Sequence, residues 1–195
     1  VSTALSMAAF ALATSITPGP VNILALSAGA RYGLRASLRH VTGATVGFVL
    51  LLLLIGLGMQ ELLASLPFLT RALEWAGVAF LLYVAYRLAT DDGRIDAPNA
   101  ARGPSLMVGA TMQWLNPKAW LASVAGMGLY AASGESALVW QFAAIYFVVC
   151  YVSIACWAWA GASLRQALRE PSRVRLVNRA MALLLTGSAV WLMLA

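Results

Sequence analysis

Thr17-Pro18-Gly19-Pro20-Val21-Asn22 lies near the middle of a long apolar segment, and Trp114-Leu115-Asn116-Pro117-Lys118 lies in the same position of a second one. A proline inside a helix removes a backbone donor and clashes with the carbonyl four residues earlier. In lipid, the groups freed in this way must find partners or line a cavity. Two such breaks, about half a chain apart, are the pattern of a transporter whose site sits at the membrane midplane between two repeats.

The surrounding composition agrees. Of the 195 residues, 62% are hydrophobic and 10% charged, whereas a water-soluble globule has roughly 45–50% and about 25%. Apolar runs of about 20 residues are long enough to cross the hydrocarbon. Six are legible, at about 4–30, 41–63, 68–89, 104–131, 138–162 and 176–194. The expected fold is an all-α integral membrane protein with six transmembrane helices, of which the first and fourth are broken. No charged segment precedes the first run, so that span is expected to act as its own insertion signal.

The net charge of +6 does not point to nucleic acid, because the arginines fall in short loops between apolar runs. Arg31, Arg35 and Arg39 follow the first span. Arg87, Arg94 and Arg102 follow the third, with Asp91, Asp92 and Asp96. Arg165, Arg169, Arg173, Arg175 and Arg179 follow the fifth. All but two of the 13 basic residues, Arg71 and Lys118, therefore mark one side. The positive-inside rule places that side in the cytoplasm and both termini outside.

The polar segment 91–103, with Pro98 and Gly103, is the one plausible linker. It divides a single membrane domain, residues 1–195, into repeats at about 1–90 and 104–195. Three spans per half force the halves into opposite orientations, which makes them inverted repeats. Gly43 and Gly47 allow close helix approach, read as packing within the bundle rather than dimerisation. Trp75, Trp140 and Trp191 fall near span ends, as an interfacial aromatic belt would. Cys150 and Cys156 share one span, about 9 Å apart along a helix axis, and read as small buried hydrophobes. With no Cys-x-x-Cys and a single histidine, His40, no metal site or cofactor is expected.

The chemistry of the breaks suggests a ligand. Pro18, Pro20 and Pro117 deprive the Thr14, Ile16 and Gln113 carbonyls of their helical donors. Thr17 and Asn116, each just before a proline, resemble N-caps that start a new half-helix. A half-helix N-terminus attracts a carboxylate, while freed carbonyls suit an ammonium. A zwitterionic amino acid satisfies both. Lys118 is the one ionisable residue deep in a span, and burying it costs roughly 3 kcal/mol on insertion scales. Its own half-helix dipole also disfavours a cation there. The candidate substrate-binding residues are Thr17, Pro18, Gly19, Pro20, Asn22, Gln113, Asn116, Pro117 and Lys118.

At these residues the chain resembles the lysine exporter (LysE/RhtB) family of bacterial amino-acid efflux proteins. The shared residues are Thr17-Pro18-Gly19-Pro20, Asn22, Gly29, Gly33, Arg35, Gly43 and Gly47, then Leu81 to Tyr86, then Asn116-Pro117-Lys118-Ala119. The chain departs from the family pattern in Val21, between Pro20 and Asn22, and in the small stretch Ser123 to Gly128. The resemblance implies a six-span exporter of an amino acid or derivative in the bacterial inner membrane, driven by protons and not an enzyme. With no Asp or Glu deep in a span, proton transfer would fall to Lys118, or to Glu61 or Glu74 at the outer end. The alternatives are a non-transporting assembly protein, or an exporter of another small molecule or cation. The expected partners are the substrate, lipid, a coupling proton and a possible second copy of the chain.

Overall fold

The computed structural model describes residues 3–59, 65, 67–90, 92, 104–131, 135–164 and 170–194. Their regular secondary structure is entirely helical. Helix α1 spans Thr3–Ile16 and α2 spans Pro20–Tyr32. Helix α3 spans Leu34–Leu54 and runs into a π-helical turn, Ile55–Met59. Next come α4 (Pro67–Ala89), α5 (Leu106–Trp114), α6 (Pro117–Tyr130), α7 (Ser136–Ser163) and α8 (Pro171–Leu194).

The helix ends follow from local chemistry. Pro18 disfavours helical geometry in the residue before it, and α1 stops at Ile16. The next helix restarts at Pro20 after a bend of 63°, with proline at its first position, where a missing N–H costs nothing. Gly33, at φ 81°, makes a one-residue turn between α2 and α3. Gly58, at φ 127°, kinks the chain within the π-helical turn after α3 in the same left-handed region.

The unbroken 28-residue α7 is the centre of the bundle. It packs against α1, α2 and α3, while α3 packs on its other side against α5, and α4 pairs with α8. Met7, Phe48, Leu51, Phe142, Tyr146 and Ile154 form the heart of the main core. Glycines set the closest approaches. A Cβ on Gly29 would run into the Ala158 carbonyl of α7, and one on Gly161 of α7 would run into the Leu26 carbonyl of α2. Gly43 and Gly47 bring α3 onto Leu106 and Ala110 of α5 in the same manner. The GxxxG spacing thus serves packing inside the bundle. Large apolar side chains such as Leu50, Phe68, Leu129 and Leu183 cover the outside, as a lipid-facing surface requires.

Two helices are individually long and apolar enough to cross a membrane, Leu34–Gly58 and Ser136–Ser163, and the bent pair α1–α2 adds a third. The other three expected runs coincide with α4, α5–α6 and α8. Arg71, Glu74 and Arg87 fall within α4, and Arg173, Arg175 and Arg179 within α8, which dilutes their hydropathy. The expected loop after the first span is a correction. Arg35 and Arg39 lie on the first turns of α3, because Gly33 lets the helix restart at once. Arg173, Arg175 and Arg179 likewise belong to the start of α8. Cys156 is exposed and only Cys150 is buried. Trp75 and Trp140 are exposed, consistent with an aromatic belt.

The described basic segments gather at one end. Arg175 donates to the Asp92 carbonyl at 3.4 Å, and Ala30 packs on Val174. The segment 93–103, Glu61, Arg165 and Arg169, and the side chains of Glu74 and Trp191, lie outside the described residues.

Candidate functional site

The two breaks meet. Lys118, in the first turn of α6, extends to the end of α1, where its Nζ donates to the Thr17 carbonyl at 2.9 Å and to Thr17 Oγ1 at 2.6 Å. The side chain runs over Gly19, the residue preceding α2; a Cβ built there lies 3.7 Å from Nζ. The ammonium therefore sits between the carbonyl end of α1 and the amide end of α2. The first attracts a cation and the second repels one. Among the described residues no carboxylate lies within ion-pair distance of it. The dipole cost expected from α6 is thus offset by α1, which had no part in that expectation.

The breaks are capped differently. At the second, Asn116 is the N-cap, as expected: its Oδ1 accepts from the Lys118 amide at 3.2 Å, with Pro117 at the first helical position. At the first, the N-cap is Gly19 rather than Thr17, because Pro20 rather than Pro18 opens the helix. No side chain caps α2. Pro20 has no N–H, and the Val21 and Asn22 amides lack intrahelical acceptors by position. The open anion-attracting terminus belongs to the first break and the cation to the second.

The carbonyls expected to be free are satisfied from within the protein. Asn22 Nδ2 reaches back across the break to the Ser15 carbonyl at 2.8 Å and the Thr17 carbonyl at 2.9 Å. Trp157 of α7 donates to the Ile16 carbonyl at 3.0 Å. The Thr14 carbonyl takes the longer branch, at 3.4 Å, of a Thr17 hydroxyl whose nearer acceptor is the Ala13 carbonyl at 3.1 Å. At the second break, the Gln113 carbonyl accepts the Asn116 amide at 3.2 Å, and Trp120 donates to the Trp114 carbonyl at 2.7 Å. Trp114 in turn donates to the Gly47 carbonyl of α3 at 3.0 Å. Each break thus has an indole on an exposed carbonyl, which meets the rule that polar backbone in an apolar medium is paired.

Between the breaks lies a small cavity of about 40 Å³ with polar side chains set in a largely apolar lining. Gly19, Asn22, Gln113, Asn116 and Lys118 line it, as do Thr14, Ser15, Val21, Phe48, Tyr146 and Cys150. Beside it runs an apolar groove of about 690 Å³, walled by Pro18, Pro20, Pro117 and Leu183 to Leu185 of α8. Lys118, Gly19 and Asn116 border both. Five of the nine expected residues thus face the cavity, the three prolines face the groove, and Thr17 anchors the lysine. The contribution of α7, Tyr146 and Cys150, was missed. Their spacing of four residues puts them on one helix face, but a tyrosine and a cysteine in an apolar run read as core.

A profile of the LysE type translocators matches residues 12–195. The chain belongs to that family. Among its relatives are proteins called cysteine/O-acetylserine efflux protein in Escherichia coli, Salmonella typhimurium and Shigella flexneri. Each is 32% identical over 93% of this chain and 92% of its own length. No solved structure matches the chain. A LysE type translocator is a membrane transporter, so the cavity is to be read for passage rather than for bond-making.

Proposed function

We propose that this LysE translocator exports a small zwitterionic amino acid, coupled to proton entry, from the cytoplasm of a bacterial cell. The observation that carries the reading is Lys118: an ammonium with no acidic partner among the described residues, at the uncapped start of α2 and beside a polar cavity. Nζ has three donors and gives two to Thr17. A substrate carboxylate takes the third, together with the Val21 and Asn22 amides. The amide oxygen of Asn22, and the remaining lone pair of Gln113 Oε1, which accepts from Asn116 Nδ2 at 3.5 Å, face the substrate ammonium in this reading. Cysteine and O-acetylserine, named for the relatives, have both groups and a short polar side chain.

The packing supports six spans as two inverted repeats. The broken first span packs on the fifth, α7, and the broken fourth packs on the second, α3. The second and fifth pack on each other, as do the third and sixth, α4 and α8. Exchanging the halves preserves this pattern of neighbours. In this arrangement the arginine-rich end faces the cytoplasm and both termini lie outside. At about 40 Å³ the cavity alone is too small for an amino acid, so binding requires it to widen, and rocking of the halves would do so.

Counterflow in proteoliposomes, with an amino-acid panel against the full chain, tests the proposal. Exchange of at least one short polar amino acid is expected. A folded protein that moves none of the panel overturns it.

A further inference from the structure

Six hydroxyls in these helices share one habit. Thr14, Thr17, Ser37, Thr42, Thr90 and Thr186 each donate to the carbonyl four residues back. Ser15, in the same turn as Thr14, does not. Its side chain is buried, with 9% exposure, its Oγ has no hydrogen-bond partner, and it lines the polar cavity. A hydroxyl left unpaired in such a place is destabilising.

Its surroundings are specific. Tyr146, tilted against Phe48 with ring centroids 4.4 Å apart, shares its hydroxyl with Thr14, and that hydroxyl adjoins Ser15 without closing a hydrogen bond of ordinary geometry. The Cys150 thiol adjoins the Ser15 and Thr45 hydroxyls without closing a hydrogen bond of ordinary geometry. Ser15 is held in place from behind, since its own carbonyl accepts from Asn22 at 2.8 Å. Ser15, Thr45, Ser123 and Ser153 are the buried hydroxyls without a partner among the described residues, and of these Ser15 alone lines the cavity, on the wall made by α1, α3 and α7 and bounded by Phe48, Tyr146 and Ile154. The charged and amide groups belong to the other wall, built from the breaks.

We propose that Ser15 is a specificity-determining residue that reads the side chain of the transported amino acid. It exchanges a hydrogen bond with a short polar group, a thiol, hydroxyl or ester oxygen, extending from a zwitterion held at the breaks. This rests on the export reading. A site with a polar group to satisfy disfavours an analogue that leaves it unpaired, while the bulky neighbours exclude long side chains.

The test compares cysteine with 2-aminobutyrate, which has a methyl in place of the thiol, and serine with alanine. Each competes for counterflow through the full chain in proteoliposomes. Wild type should prefer the polar member of each pair by roughly five- to tenfold, the worth of one neutral hydrogen bond. Ser15→Ala should bring each ratio to within about twofold, and Ser15→Thr, which keeps a hydroxyl, should retain a preference. An unchanged ratio in folded Ser15→Ala overturns the assignment. So does a wild type that takes both members equally, a result that needs no variant. Wild type that moves no amino acid sinks the export reading itself, whereas flux without discrimination sinks only the role of Ser15.

Discussion

Lys118 and Thr17 stand about half a chain apart in sequence and are joined by two hydrogen bonds, from Nζ to the Thr17 carbonyl at 2.9 Å and to its hydroxyl at 2.6 Å. This contact links the two helix breaks directly. It ties the first turn of α6 to the last carbonyl before Pro18.

Lys118→Met removes the charge and keeps most of the chain length. Export should fall by roughly 10- to 100-fold, the range expected for losing a charge-assisted hydrogen bond of about 1.5–3 kcal/mol. The protein should still reach the membrane, because removing a buried cation favours insertion. Lys118→Arg should transport poorly as well, since a planar fork cannot replace a compact ammonium over Gly19. Counterflow normalised to folded protein by size-exclusion chromatography reads both. Wild-type flux in Lys118→Met would remove the lysine from the mechanism.

Asn22 holds the first break by donating to both the Ser15 and Thr17 carbonyls. Asn22→Ala leaves the Ser15 carbonyl without this donor and should lower stability by about 1–3 kcal/mol. Asn22→Asp should be worse, because an ionised carboxylate has no hydrogen to offer and faces the same two oxygens. Thermal unfolding in one detergent should order the proteins as wild type, Asn22→Ala, Asn22→Asp. Equal midpoints for all three would show that the bridge carries no stability.

The parts legible in the sequence were those written as local chemistry. Pro18, Pro20 and Pro117 locate both breaks, and Asn116-Pro117 gives the cap of α6 residue by residue. The cap of α2 is displaced by two residues because two prolines compete to open the helix, and only packing chooses between them. The loop after the first span was misjudged because arginines serve equally as loop markers and as helix formers, and Gly33 decided for helix. Ser15, Tyr146, Cys150 and the capping indoles of Trp120 and Trp157 were illegible for another reason. Each works only through a partner on another segment, and periodicity carries no information about which segment that is.

Trp157 and Trp120 donate to the Ile16 and Trp114 carbonyls at the ends of α1 and α5. Trp157→Phe and Trp120→Phe keep most of the apolar ring and remove the donor. Each should cost about 1 kcal/mol, with faster amide exchange confined to residues around the affected break. Hydrogen-exchange mass spectrometry resolves the two sites separately. Protection lost evenly over the whole bundle in either variant would mean that packing of the ring, not its N–H, is what matters.

Gly161 offers a sharp test of the central packing. A methyl there would collide with the Leu26 carbonyl, which belongs to a helix backbone and cannot rotate aside. Gly161→Ala should force α7 and α2 apart and destabilise by about 1–3 kcal/mol. Because α2 carries the uncapped terminus at the cavity, flux should fall along with stability. Gly128 provides the control: it lies in α6 with nothing within 4 Å of a built Cβ. Gly128→Ala should be neutral, or stabilising by up to about 1 kcal/mol through helix propensity. Unfolding midpoints and counterflow for the two variants decide the point. If Gly161→Ala matched Gly128→Ala in both measurements, the close approach of α7 to α2 would not be what holds the first break in place.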